Sequence, residues 1–266
     1  MPEPSRVPEF TIAFLVHSNL PLLERTIPTT IATLTAASRR TYDLVLVIDV
    51  TQTTPLNDLL TLSTQWGFDE VRLRTRSRHT AGGDPPNNGH VNWMPGKGRY
   101  FISVEGDVVA FRSGPGDVLD MLAASFERCQ DLQLATRIDD HECWQWPLAD
   151  VAPPMAPGIR SVNRVASHFL VYDLPRATSH MWAAGGPPAD RFYDSPERWF
   201  NYEDWLSETF AAPDGPGIGY LDDLPIAVFH CDEKVAPGAS VYTQDLEVRL
   251  RVFEQRRAEC VYAHDS

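Results

Sequence analysis

At 266 residues the chain is long enough to bury a full core, as one large α/β domain or two joined lobes, so it needs no disulfide or structural metal to fold. Hydrophobic and charged fractions of 43% and 22% are those of a soluble globular protein, and a net charge of −13 excludes nucleic acid, whose phosphates are bound by excess Lys and Arg. Four scattered cysteines without a C-x-x-C pair, apolar runs too short to span a bilayer and an amino terminus without a signal-peptide core predict a cytoplasmic protein with no membrane insertion.

The elements follow in order. Phe10–Val16 is a continuous apolar run, as in a strand buried on both faces. Leu22 to Ala37 carries Leu23, Ile27, Ile31 and Leu34 at helical spacing, with Pro28 predicting a kink or an early boundary. Asp43–Val50 reads as a second buried strand, Leu56–Trp66 as a second helix and Val71–Thr75 as a third strand. This alternation predicts a parallel sheet with right-handed crossovers, which binds ligands at the carboxyl ends of its strands. Arg78 to Gly98 is rich in Gly, Pro and Asn and reads as a long loop of the kind that carries function. Tyr100–Val104 is a fourth strand running into Glu105-Gly106-Asp107, and Asp117–Cys129 an amphipathic helix. Pro-rich stretches interrupt the second half, where Phe169–Tyr172 and Ile226–Phe229 are the best strands. Thr243 to Tyr262 reads as a helix with Leu246, Leu250 and Phe253 inward.

The most informative group is Glu105-Gly106-Asp107 at a strand end. Two carboxylates beside a glycine that admits close backbone approach can share a divalent cation with a diphosphate; hard oxygen ligands suit Mg²⁺ or Mn²⁺. The acidity of the chain points the same way, since a phosphate-bearing substrate needs a cation between its charge and the protein's. Phe200-Asn201-Tyr202-Glu203-Asp204-Trp205 sets an acidic pair among aromatics at a helix start. It reads either as a partly desolvated general base or as acids placed by the helix dipole. His230, at the end of a strand, reads either as a metal ligand or as a strand-end surface residue. Asp139-Asp140-His141-Glu142-Cys143 reads as a solvated turn or as part of an acceptor pocket, with Trp144 and Trp146 as stacking or core residues. His79, Asp84 and His90 match no metal-ligand spacing.

The order of these groups resembles the family 2 inverting glycosyltransferases of the GT-A fold. Val16-His17-Ser18-Asn19 stands where that family has its first-strand turn. Val47-Ile48-Asp49 resembles its second-strand acidic turn, with Val50 replacing the second acid. Asn88-Gly89, Gly98-Arg99-Tyr100 and Glu105-Gly106-Asp107 resemble its third block, which ends in an Asp-x-Asp motif, and Glu203-Asp204-Trp205 resembles its acceptor-side pair. The resemblance runs from about Phe10 to His230 through short motifs.

It implies a Rossmann-like α/β fold, a central, mostly parallel sheet flanked by helices, in one continuous domain. Residues 1–115 would form the half binding the sugar donor, and residues 116–266 a smaller acceptor-binding half with the C-terminal helix. Asp107 would hold the metal directly, with Glu105 on the ribose or a metal-bound water and His230 as a late ligand. Asp204 would act as the catalytic base and Glu203 would orient the acceptor or the sugar. Asn19 and Asp49 would contact the nucleoside, while Arg78, Lys97 and Arg99 would reach phosphate or close over the donor. The implied reaction is metal-dependent transfer, with Mn²⁺ or Mg²⁺, from a nucleoside-diphosphate sugar to a soluble small-molecule or carrier-bound acceptor, UDP being the expected nucleotide. A non-catalytic binding protein of the same fold and a sugar-1-phosphate nucleotidyltransferase are the alternatives; the second needs a Gly-rich basic loop after the first strand, where His17-Ser18-Asn19 stands instead.

Overall fold

The computed structural model describes residues 7–16, 18–75, 98–139, 154–165, 168–186, 193–195, 198–200, 202–212, 214–231 and 245–260. The first half alternates as expected through β1 (Phe10–Val16), α1 (Leu20–Thr35), β2 (Tyr42–Val50), α2 (Leu56–Gln65), β3 (Glu70–Thr75) and β4 (Tyr100–Glu105); a strand the sequence reading did not anticipate, β5 (Val108–Arg112), then precedes the expected helix α3 (Val118–Arg128). There follow β6 (Leu134–Thr136), β7 (Ile159–Val162), β8 (Phe169–Asp173), α4 (Leu174–Ala183), β9 (Tyr193–Ser195) and β10 (Arg198–Phe200). The last elements are α5 (Tyr202–Phe210), β11 (Ile218–Leu221), β12 (Ile226–His230) and α6 (Leu246–Cys260).

Eight strands form the central sheet in the order β3-β2-β1-β4-β8-β6-β11-β7. β3, β2, β1 and β4 are mutually parallel, β8 runs against both β4 and β6, and β7 runs against β11. Two antiparallel pairs, β5 with β12 and β9 with β10, lie apart from this sheet. The continuous apolar strands are explained by cover on both faces. Phe10, Ile12, Phe14 and Val16 of β1 pack on one side with α1 and α3, while Ala13 packs on the other with α4 and α5. A third cluster, Leu22, Val109, Phe111, Phe229, Cys231 and Phe253, joins α6 to the β5–β12 pair.

α1 continues past Pro28 to Thr35, so of the two expectations, a kink or an early end, the early end does not occur. Pro28 removes the bond to the carbonyl of Glu24, and Glu24 is exposed, so water can satisfy it. An interior proline costs about 3 kcal/mol. The helix buries Leu22, Leu23, Ile27 and Leu34, each worth roughly 1.5–3 kcal/mol. Burial wins. α3 begins where the Asp117 side chain accepts a hydrogen bond from the Asp120 amide at 3.1 Å, and carries Arg128 in its last turn, complementing the helix dipole.

Candidate active site

The parallel strands put their functional ends together. Asn19 follows β1, Asp49 lies near the end of β2 and Glu105 ends β4, all at carboxyl ends, where ligands bind on such sheets. Asn19 adopts a left-handed backbone, φ 65 and ψ 49, and its carbonyl accepts the amides of Leu22 and Leu23, so it starts α1. Asp49 is buried and aligned in register with Arg74, whose Nε lies 2.5 Å from its Oδ1.

Two ladders then build the centre of the site. The antiparallel β4–β8 register sets His168 beside Glu105, and the Glu105 amide donates to the His168 carbonyl at 3.0 Å. The β5–β12 register pairs His230 with Val108, one residue beyond Asp107, and the Cys231 amide donates to the Asp107 carbonyl at 2.8 Å. Ligand atoms of Glu105, His168 and His230 consequently lie within 4.8 Å of one another. His168 Nε2 is 3.6 Å from Glu105 Oε2, and its Nδ1 is 3.9 Å from Glu203 Oε1 at the start of α5. The two imidazole rings meet edge to face, centroids 4.6 Å apart.

Gly106 is required at the turn between them. Its amide donates to Leu15 O at 2.8 Å and its carbonyl accepts from Thr26 Oγ1 at 2.5 Å. A Cβ there would sit 2.6 Å from Leu23 Cδ2 and 2.9 Å from Val16 Cγ1. Close backbone approach is therefore the reason for this glycine, as the motif suggested.

Asp107, expected as the direct ligand, lies beside this group and also has a cationic partner. Its Oδ2 accepts from Arg249 Nη2 at 2.6 Å and lies 3.5 Å from His230 Nε2. Burial opposes its charge, but His230, then Arg249 and His168, more than offset this and hold its carboxyl far below the usual carboxylate range. Arg249, nearly fully buried on α6, was absent from the sequence reading, because an arginine in a charged helix reads as solvent-facing. His168 was missed too, since nothing in its own neighbourhood of sequence resembles a ligand pattern.

Glu203 and Asp204 both stand in the first turn of α5 and have different partners. Glu203 is buried toward His168, whereas Asp204 Oδ1 accepts from Arg164 Nη2 at 2.7 Å. Arg99 is not brought here. It precedes β4, at the end opposite Glu105 and about 20 Å away along a six-residue strand, ion-paired with Asp173 at 3.2 Å. That position does not support the donor contact expected of it. Asp139 is held rather than free in a solvated turn: it pairs with Arg137 at 2.7 Å and accepts from the Val228 amide at 2.8 Å, tying the segment after β6 to β12. Arg78, Lys97, His79, Asp84, Asn88, Gly89, His90, Asp140 to Cys143, Trp144 and Trp146 lie outside the described residues.

The donor set fits a divalent cation: one carboxylate and two imidazoles converge, with a second carboxylate beside one imidazole. No protein-family profile matches the chain, and no curated protein matches it. Solved structures do. Residues 1–349 of S. aureus TarS in complex with UDP-GlcNAc align with a TM-score of 0.54 at 12% identity, covering 95% of this chain and 67% of that one. The mannosyltransferase PcManGT from Pyrobaculum calidifontis, in complex with GDP-Man and Mn²⁺, aligns at 0.55 and 11% identity over 89% of this chain and 61% of that one. GalNAc-T7 with UDP, GalNAc and Mn²⁺ aligns at 0.50 and 10% identity, over 94% and 48%. The chain has the GT-A fold. It spans between three fifths and two thirds of the length of TarS 1–349 and about three fifths of the mannosyltransferase. Within the GT-A fold, Glu105-Gly106-Asp107 sits where the fourth parallel strand ends, and the His168 and His230 rings close over it from β8 and β12.

Proposed function

We propose that this chain is a metal-dependent inverting glycosyltransferase of the family 2 type. It would move a sugar from a nucleoside-diphosphate sugar, with UDP as the expected nucleotide, to a soluble small-molecule or carrier-bound acceptor in the cytoplasm. One observation carries the reading: Glu105, His168 and His230 converge at the carboxyl edge of a GT-A sheet, with Glu203 of the acidic pair Glu203-Asp204 3.9 Å from His168. Free thiols at Cys129, Cys231 and Cys260 are in keeping with a reducing compartment, and among the described residues no helix is long and apolar enough to cross a membrane.

Glu105, His168 and His230 would hold Mn²⁺ or Mg²⁺, with Asp107 bordering the same space. When bound, the cation supplies positive charge to the departing diphosphate, the electrostatic contribution that usually dominates such catalysis. Asn19, and Asp49 together with Arg74, would meet the nucleoside; Arg78 and Lys97 are carried as phosphate contacts from the loop. Asp204 takes the proton from an acceptor hydroxyl or amine as that atom bonds to the anomeric carbon and the bond from that carbon to the diphosphate oxygen breaks. A single displacement from the opposite face inverts the anomeric centre. Arg164 Nη2 donates to Asp204 Oδ1 at 2.7 Å and so holds the carboxylate in one orientation.

Calorimetric titration with UDP, GDP and dTDP, each with Mn²⁺ and with EDTA, tests the donor half. Metal-dependent binding of one nucleotide, weakened in Asp107→Asn, is expected; no binding to the folded protein overturns the reading. NMR of the product tests inversion, and a retained anomeric configuration would exclude it. Nucleotide binding without transfer to any acceptor would favour a non-catalytic binding protein.

A further inference from the structure

Two imidazoles distinguish this site from one made of oxygen ligands. Mg²⁺ is a hard cation that keeps its waters and takes carboxylates and phosphates, whereas imidazole nitrogen favours transition ions. His168 and His230 each direct a ring toward Glu105, and all the ligand atoms fall within 4.8 Å. Atoms bound to one ion at about 2.0–2.2 Å lie at most about 4.4 Å apart, so small side-chain rotations close the set.

The ligands are also fixed before any substrate arrives. Glu105 and His168 are clamped by the bond between their backbones, and His230 is buried on a paired strand. Charge favours a dication: Asp107 is balanced by Arg249, while Glu105 and Glu203 face His168 from its two nitrogens. A carboxylate at Nδ1 with a metal at Nε2 is the arrangement that fixes the tautomer and orientation of a ligating histidine.

We propose that the site binds a transition ion of the Mn²⁺ class in preference to Mg²⁺, and does so without nucleotide, with His168 as a ligand and Glu203 as the residue that positions His168. This rests on the metal site of the function proposed above, and it moves Glu203 from the acceptor to the metal ligand.

The test uses the full chain, stripped with EDTA and dialysed, and Mn²⁺ alone as the probe. Calorimetry should find one Mn²⁺ per chain, retained against a roughly hundredfold excess of Mg²⁺. Electron spin-echo spectra of bound Mn²⁺ should show two imidazole nitrogens. His168→Ala should remove one nitrogen and weaken Mn²⁺ by about tenfold or more; Glu203→Ala should keep both nitrogens and weaken it by about 10–100-fold. The Mg²⁺ competition needs no variant, so a poorly folded mutant does not decide the matter. Displacement by equimolar Mg²⁺, a requirement for added UDP or GDP, or a two-nitrogen signal unchanged in His168→Ala overturns the proposal. If nucleotide still binds metal-dependently in those cases, the transferase reading stands alone; if neither metal nor nucleotide binds, both fall.

Discussion

Single residues at this site do separable jobs. Gly106 is there for space: in Gly106→Ala the new methyl meets Leu23 and Val16 inside 3 Å, and Leu23 belongs to the main core. We expect a loss of about 1–3 kcal/mol in urea denaturation, the usual cost of overpacking a tight contact. Asp204 is there for chemistry. Asp204→Asn should leave nucleotide affinity within about twofold and cut the transfer rate by about 10²–10⁴, the range for losing a positioned base. Equal losses of binding and rate would instead make Asp204 a binding residue. The acidic pair was legible in the sequence, but the division of labour within it was not. Glu203 and Asp204 are neighbours on a helix and so point about 100° apart, and only the packing of α5 against β8 shows which one faces His168.

At the scale of elements, α6 completes the site from a distance in sequence. Arg249 reaches Asp107 across 142 positions, and Phe253 anchors the same helix against Phe111. Breaking one partner of such a pair leaves a charge poorly solvated, so Arg249→Met and Asp107→Asn should each destabilise by about 1–3 kcal/mol. The double variant should lose less than the sum, because the second change removes the stranded charge. Additive losses in denaturant titrations would mean that the pair contributes nothing as a pair. The helix itself was readable from Leu246, Leu250 and Phe253, of which Phe253 is fully buried and the other two partly so. Its inward arginine was not, because the partner that makes burial tolerable lies on another element.

For the whole molecule, strand pairing joins the two halves expected from sequence: β4 pairs with β8 in the central sheet and β5 with β12 in a separate ribbon, both across the boundary at residues 115 and 116. We therefore expect a single calorimetric transition; two separated transitions would mean that the halves fold independently. The far end of the sheet offers a pH test. Tyr220 on β11 donates to Ile138 O at 2.6 Å, and burial, then the nearby Asp139, push its hydroxyl up to about 12 from 10.0. Its neutral form is thus favoured by folding. That contribution is fully present below pH 10 and disappears as pH rises from 10 to about 12. Absorbance titration should show phenols ionising late, together with unfolding, among them Tyr220 and the likewise buried Tyr100, and Tyr220→Phe should reduce the amplitude of that late step.

The sequence by itself determined the first four strands and first three helices, though not β5, because apolar runs and helical spacing are local signals that burial on both faces of a sheet demands. It also singled out Glu105, Gly106, Asp107, Glu203, Asp204 and His230 as the chemistry-bearing residues. Only the tertiary structure decided how they are arranged. Strand pairing brings His168 to Glu105, helix docking brings Arg249 to Asp107, and Arg99 is left at the wrong end of its strand. These are contacts between residues tens of positions or more apart, set by register and packing, and no periodicity along the chain records them.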